Sequence, residues 1–371
     1  MKNKKTATIT WLKYNNFGTY LQAYALQQAI MSLGYENHIL DDSAIISHPY
    51  PYRVRGFVSL LLTQLIPVRR KYLHAQRKSD ALYVRFADEH LIVDKVSAAV
   101  QEKADHLYDQ YICGSDQIWC PVLEEHLNPY YYAAFTHKKK IAYAASFGIE
   151  KYPDRLRNEF ISLAGQFAAI SCREEIGCHL VHDMLGKEAI HVSDPTLLLS
   201  DEEWRRIAES AVCTEDGERY MLTYFLTPNK WYVDFSRRYA SEHGLKLRTF
   251  YLRPSSVQEA DEAVTAGPAE FIRLIDHADI FFTDSFHGSI FATLMQTPFV
   301  GFQRFPNENS GQNHRLINLY HLMAIKDRFI VDEDGCDIVR RLSPMDFVQM
   351  KKRLQPFIDN SKNELSHSLA I

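Results

Sequence analysis

The chain has 371 residues, 46% hydrophobic and 24% charged, with a formal charge of −4. That length exceeds one ordinary small domain and predicts two of similar size. The composition is that of a soluble globular protein and gives no electrostatic reason to expect nucleic acid as a partner. Six scattered cysteines (Cys113, Cys120, Cys172, Cys178, Cys213, Cys336) form no CxxC pair. This fits a reducing cytoplasm better than a disulfide framework or a zinc site. No stretch reaches the roughly 18–20 apolar residues of a membrane-spanning helix. The basic residues at 1–5 pass directly into a strand pattern, without the apolar core of a secretory signal.

Residues 6–12 read as a buried strand, 19–33 as a helix closed by Gly34, and 35–41 as a second strand, the opening of a Rossmann-like half. The intervening loop, Lys13-Tyr14-Asn15-Asn16-Phe17-Gly18, suits a ligand's hydroxyls or an anion at a helix N-terminus; a plain turn and cap is the alternative. There is no GxGxxG, so a dinucleotide is not indicated. In residues 43–90, Arg53, Arg55, Arg69, Arg70, Lys71, Arg77, Lys78 and Arg85 surround an apolar run at 57–66. Such a segment is either a solvated helical hairpin or, over 53–87, a peripheral contact with an anionic membrane surface.

A strand predicted at 106–113 leads into Gly114-Ser115-Asp116-Gln117-Ile118-Trp119. Ser115, Asp116 and Gln117 offer hydrogen bonds and Trp119 a flat face, a mixture suited to sugar recognition. Tyr130-Tyr131-Tyr132 nearby can add to that surface, with ordinary packing in the core the plainer reading. Strands follow at 140–147 and 168–172, and Arg173-Glu174-Glu175 opens a helix to about 185. An arginine at that junction can grip a carboxylate or phosphate with its planar fork, or pair locally with the adjacent glutamates. A strand at 189–192, the turn Ser193-Asp194-Pro195-Thr196 and a helix start at Asp201 divide the chain into domains 1–195 and 196–371.

The second half repeats the layout, with strands at 220–226 and 246–252 and helices at 229–243 and 269–277. An apolar strand at 279–283 and a helix at 289–295 then flank the corner Asp284-Ser285-Phe286-His287-Gly288. In an open α/β sheet such corners face the crevice where ligands bind. The helix start offers unpaired N–H groups at Gly288 and Ser289 to an anion, and glycine permits close approach. His287 adds a group of the type that titrates near neutrality. The plainer reading is a helix capped by Asp284 or Ser285, with an ordinary histidine. A strand at 298–303 follows, and Ser310, Gly311, Asn313 and Arg315 stand near another helix start. Residues 345–358 read as a helix and the last dozen as a loose tail. The expected fold is α/β, two Rossmann-like domains facing a central cleft in the GT-B-like arrangement.

Several pieces in order resemble the polysaccharide pyruvyl transferase family. They are Asn16-Phe17-Gly18 with Leu21-Gln22-Ala23-Tyr24-Ala25-Leu26, then Ile112 to Trp119, Lys140 to Gly148, Ile170-Ser171-Cys172-Arg173-Glu174, Ser193-Asp194-Pro195-Thr196 and Thr283-Asp284-Ser285-Phe286-His287-Gly288. The resemblance runs from residue 11 to about 316. It implies transfer of the pyruvyl unit of phosphoenolpyruvate to two hydroxyls of a sugar in a cell-surface polysaccharide or its precursor, giving a cyclic ketal and phosphate. It also implies that Arg173 and His287 serve the donor.

Protonation of C3 of an enol ether phosphate builds positive charge at C2, which a sugar hydroxyl captures. This needs a proton donor, a base, and cationic or N–H groups for the carboxylate and phosphate. His287 fits the acid–base role. Arg173, the helix start at Ser285, Gly288 and Ser289, and Arg315 or Arg304 fit the anions, while Asn16, Gly18, Ser115, Asp116 and Gln117 fit the acceptor. No residue spacing calls for a metal, and no cofactor is expected beyond phosphoenolpyruvate as co-substrate. Two other functions suit the same pattern: a glycosyltransferase using a sugar nucleotide, and a non-catalytic glycan-binding relative.

Overall fold

The computed structural model describes residues 4–12, 15–41, 67–94, 105–121, 125–212, 217–227, 229–305, 311–335, 339 and 343–371. Lys13, Tyr14, Arg53, Arg55, the apolar run at 57–66 and Ser310 lie outside them.

Seven parallel strands form the first sheet: β1 (Lys5–Ile9), β2 (Glu36–Leu40), β3 (Val93–Asp94), β4 (Gln110–Cys113), β5 (Lys140–Ala145), β6 (Ala169–Cys172) and β7 (Ile190–His191). Their order is β3-β2-β1-β4-β5-β6-β7. The second sheet takes β8 (Tyr220–Tyr224), β9 (Lys246–Phe250), β10 (Glu262–Val264), β11 (Ile280–Thr283), β12 (Phe299–Phe302) and β13 (Phe329–Ile330) in the order β10-β9-β8-β11-β12-β13. Buried on both faces, the central strands carry near-continuous apolar runs, as in the IFFT of β11. In each sheet the chain leaves the first strand to one side and later returns to its other side. The carboxyl ends of β1/β4 and of β8/β11 are therefore the switch points where ligand crevices open.

The connecting helices are α1 (Phe17–Ser32), α2 (Pro67–His90), α3 (Asp154–Ala164), α4 (Glu175–Leu185), α5 (Asp201–Glu209), α6 (Lys230–Glu242), α7 (Pro268–Asp276), α8 (Phe286–Met295), α9 (Gly311–Leu322) and α10 (Phe347–Ala370). One aromatic core ties the halves together. Phe17 of α1 stacks on Phe271 of α7 at 4.5 Å between ring centroids and on Tyr83 of α2 at 5.8 Å. Phe86, Trp204 and Phe291 belong to the same cluster. An apolar contact of this size fixes the angle at which the two crevices face each other.

Two expectations are corrected. The last dozen residues are not a tail: α10 continues to Ala370, and Leu365 and Leu369 are buried against Leu26, Ile30, Ile112 and Ile141 of the first domain. Ser361 reinforces the contact, its carbonyl accepting from Tyr143 Oη and its hydroxyl from Ser193 N–H. The charged exposed positions between these anchors hide the apolar spacing from a local reading. Trp119, expected to offer a flat face to a sugar, is 1% exposed and stacks on Tyr132 inside the first domain. Its indole N–H is satisfied by the Tyr131 carbonyl, so the ring is core rather than binding surface.

Candidate active site

The two crevices meet at a buried cluster. Asp194, just after β7, is its centre. Its Oδ1 accepts from the Thr196 N–H (3.0 Å) and hydroxyl (2.7 Å), which anchors the turn at Pro195. Its Oδ2 accepts from Arg173 Nη1 at 2.6 Å and lies 3.2 Å from His287 Nε2. One carboxylate oxygen thus joins an arginine of the first domain to a histidine of the second. Burial pulls the Asp194 carboxyl upward, but His287, Arg173 and Thr196 together outweigh it and hold the group well below the usual carboxylate range.

Arg173 follows β6 directly, with its side chain 1% exposed. Burial acts against its charge, yet the carboxylates of Asp194, Asp116 and Glu174 leave its pKa raised. Asp116 Oδ1 is 3.7 Å from Nη2, too far for a hydrogen bond, and is already held by the Gln117 N–H. Asp116 Oδ2 accepts from Thr19 Oγ1 at 2.7 Å. Arg315, from α9, is also buried, though less completely, with Nε 3.7 Å from Glu174 Oε1. Burial and the like charge of Arg173 push its pKa down to about 10, against the opposing pull of Glu174 and Asp116. The Phe286 ring accompanies both guanidinium groups, its centroid 5.4 Å from Arg173 Cζ and 5.7 Å from Arg315 Cζ. Glu174 Oε1 accepts from the Ser146 hydroxyl.

Several buried polar atoms in and around this cluster have no hydrogen-bond partner: Arg173 Nε and Nη2, Arg315 Nε, Glu174 Oε2, Ser115 Oγ, Ser193 Oγ and Gln117 Nε2. Buried polar groups are normally paired, so such a concentration marks a place that receives a ligand or water. Guanidinium N–H groups offer themselves to a carboxylate or phosphate, while the carboxylate, hydroxyls and amide suit a hydroxylated partner.

The structure brings Arg173, Arg315, His287, Asp116 and Gly18 together. Gly18 touches His287 so closely that a Cβ there would stand 2.0 Å from the ring nitrogen Nδ1. Ser115 and Gln117 border the cluster, Gln117 lying against Gly148, where a Cβ would come within 2.2 Å of its Nε2. Asn16 acts as the cap of α1, accepting from the Thr19 N–H. At α8 the corner is shorter than expected, because Ser285 Oγ accepts from the Gly288 N–H and draws residues 286–288 into the first turn. Ser289 is 0% exposed; its N–H donates to Ser285 O and its hydroxyl reaches Ser285 O and Tyr320 Oη. Both Gly288 and Ser289 thus have their N–H groups engaged within the helix start, leaving those of Phe286 and His287 without intrahelical acceptors. Sequence reasoning missed Asp194, treating it as a turn residue, and gave Glu174 only a local ion pair. The signal for Asp194 was its turn motif directly after a strand, at the edge where Arg173 also sits.

The fold defines a protein of two Rossmann-like domains with an arginine-lined, histidine-bearing crevice between them. The sequence pattern described as Polysaccharide pyruvyl transferase matches residues 16–304, and the chain belongs to that family. No curated protein gives a sequence match. Among solved structures, UDP-GlcNAc 2-epimerase from Neisseria meningitidis bound to UDP-GlcNAc is similar over 99% of both chains, with a TM-score of 0.54 and 10% identity. A glycosyltransferase from Rickettsia africae is similar over 98% of this chain and 99% of its own, with a TM-score of 0.46 and 9% identity. The epimerase likeness shows the shared two-domain fold. Among the described residues no group of three or more His, Cys, Asp or Glu side chains is placed to hold a metal ion, and no helix is long and apolar enough to cross a membrane.

Asp284 supports the corner from beneath, accepting from the Leu226 and Thr227 N–H groups at 2.7 and 2.9 Å. Burial raises its carboxyl from 3.8 to about 6, against the pull of those N–H groups and of Arg304. The folded state therefore holds this proton more tightly than the unfolded chain, and stability falls as pH rises from about 3.8 to about 6. Asparagine imitates the protonated form. Asp284→Asn should gain on the wild type across that window, by about 2–3 kcal/mol at most. Urea unfolding at both ends of the window measures this, and a stability difference independent of pH would contradict it.

Proposed function

We propose that the protein transfers the pyruvyl group of phosphoenolpyruvate to two hydroxyls of a sugar in a cell-surface polysaccharide or its precursor, forming a ketal and releasing phosphate. The observation that carries this reading is the set of unpaired guanidinium N–H groups on Arg173 and Arg315 beside His287, in a chain of the pyruvyl transferase family. The donor has two anionic groups. Arg173 can take one through its fork and Arg315 the other, with the Phe286 and His287 N–H groups completing the cradle. Positive charge then develops at C2 as C3 is protonated. Glu174, with one oxygen unpaired, lies near enough to Arg315 to balance the site.

The proton count is closed. Two hydroxyls each lose a proton, C3 gains one, and the other leaves with phosphate. His287 supplies the acid and base functions, and no cofactor enters the scheme. The acceptor side falls to the first domain, where Gly18, Ser115, Asp116 and Gln117 border the cluster and Asn16 caps the adjoining helix. Confining the chemistry to the cytoplasm suits phosphoenolpyruvate, and the acceptor can be lipid-linked. Helix α2 bears on that point. At about 100° per residue, Arg70, Lys71, His74, Arg77 and Lys78 share its exposed side, while Ala75, Tyr83 and Phe86 are buried on the other. A basic face of this kind can hold the enzyme against an anionic membrane surface.

Purified protein given phosphoenolpyruvate and a fitting glycan should release phosphate only when both are present. His287→Ala should lower turnover by about 100-fold or more, and Arg173→Lys, which keeps the charge and loses the fork, should raise KM for the donor. Normal turnover in His287→Ala would end its assignment. For the membrane contact, co-sedimentation with anionic vesicles should weaken when Arg70, Lys71, Arg77 and Lys78 are changed to glutamate; unaltered sedimentation would remove α2 from the account.

A further inference from the structure

The two nitrogens of His287 are in different situations. Nε2 faces Asp194 Oδ2, whereas Nδ1 has no hydrogen-bond partner among the described residues. Asp194 can only accept: it is buried, holds its charge against protonation, and both oxygens already receive donors from Thr196 and Arg173. The nitrogen facing it must therefore carry a hydrogen. A neutral imidazole has one N–H, so Nδ1 is left with a lone pair.

Gly18 shows where that lone pair lies. A Cβ at Gly18 would be 2.0 Å from Nδ1, 2.4 Å from Cγ and 2.6 Å from Cε1. An atom in line with the lone pair would stand much farther from Cγ and Cε1 than from Nδ1. Distances this similar put Gly18 over the face of the ring. Gly18 therefore leaves the in-plane direction of Nδ1 uncovered.

We infer that Asp194 is a positioning residue that holds His287 in its Nε2–H form, so that Nδ1 is the atom that takes the acceptor's hydroxyl proton. The identity of that hydroxyl rests on the pyruvyl-transfer reading; the form of the ring does not. In the imidazolium, which faces the Asp194 carboxylate, Nδ1 gives its proton to C3 of the donor, which becomes the methyl group. Positive charge builds at C2, the first sugar oxygen bonds there, and its proton passes to the freed Nδ1. The ring gives this proton to the phosphate oxygen as the C2–O bond breaks, and the second hydroxyl loses its proton to Nδ1 as the ketal closes. That last proton restores the imidazolium, and nothing is oxidised or reduced. Gly18 contributes by having no side chain, since a methyl group would occupy the space of the ring.

Asparagine at 194 can turn its oxygen toward the Thr196 donors or toward Arg173 and His287, but not toward both. With its NH₂ group toward His287, the ring must accept at Nε2 and protonate Nδ1. The test is long-range ¹H–¹⁵N NMR of ligand-free protein labelled in histidine, at alkaline pH where imidazoles are neutral, with His287 assigned by its loss in His287→Ala. The wild type should show a protonated Nε2 and an unprotonated Nδ1. Asp194→Asn should mix or invert this pattern and lower kcat more than it raises KM for phosphoenolpyruvate. Gly18→Ala should displace the ring and alter the same signals. A protonated Nδ1 in the neutral wild-type ring overturns the inference, whether or not the variants fold; so does an unchanged ring in Gly18→Ala. Because the spectra are taken without substrate, failure of phosphoenolpyruvate to react would leave this result intact and count only against the reaction.

Discussion

A single carboxylate oxygen, Asp194 Oδ2, accepts from Arg173 of the first domain and faces His287 of the second. Charges removed from water are costly unless paired, and this pairing exists only while the two domains hold their present angle. The constraint runs both ways. Three carboxylates, two arginines and a histidine can be gathered in a buried crevice because each partly neutralises the next. Removing one partner would leave an uncompensated charge, so the cluster is a requirement on the fold more than a source of its stability.

The stability that holds the domains at that angle comes from elsewhere. The aromatic cluster around Phe17, Tyr83 and Phe271 spans the interface, and α10 returns to the first domain with Leu365 and Leu369 as its apolar anchors. Burial of such side chains contributes about 1.5–3 kcal/mol each, enough in sum to carry a polar centre that contributes little by itself. The division of labour is clear in α1. Its capped N-terminus borders the site through Gly18, while its next turns bury Leu21, Ala25 and Leu26.

Much of this was legible in the sequence. Alternating strand and helix patterns give two Rossmann-like halves, and the corners after β6 and β11 place Arg173 and His287 at crevice edges, where a site belongs. What the residues could not show is the pairing across the domains. Asp194 sits in a turn whose local chemistry, capping Thr196, fully accounts for an aspartate there, and only the folded chain brings it to a histidine 93 positions away. Ser289 and Trp119 erred in the other direction. Both have the chemistry of a binding residue, and both satisfy their polar groups inside the core. The end of α10 was missed because its burial comes from the opposite domain, which no local periodicity reports.

The shared fold does not choose between pyruvyl and glycosyl transfer. The choice rests on what Arg173 and Arg315 hold, and binding measures that most directly. In a calorimetric titration, phosphoenolpyruvate should bind the wild-type protein and fail to bind Arg173→Ala, with no binding of nucleotide sugars by either. Binding of a nucleotide sugar in place of phosphoenolpyruvate, or phosphoenolpyruvate affinity indifferent to Arg173, would contradict the account.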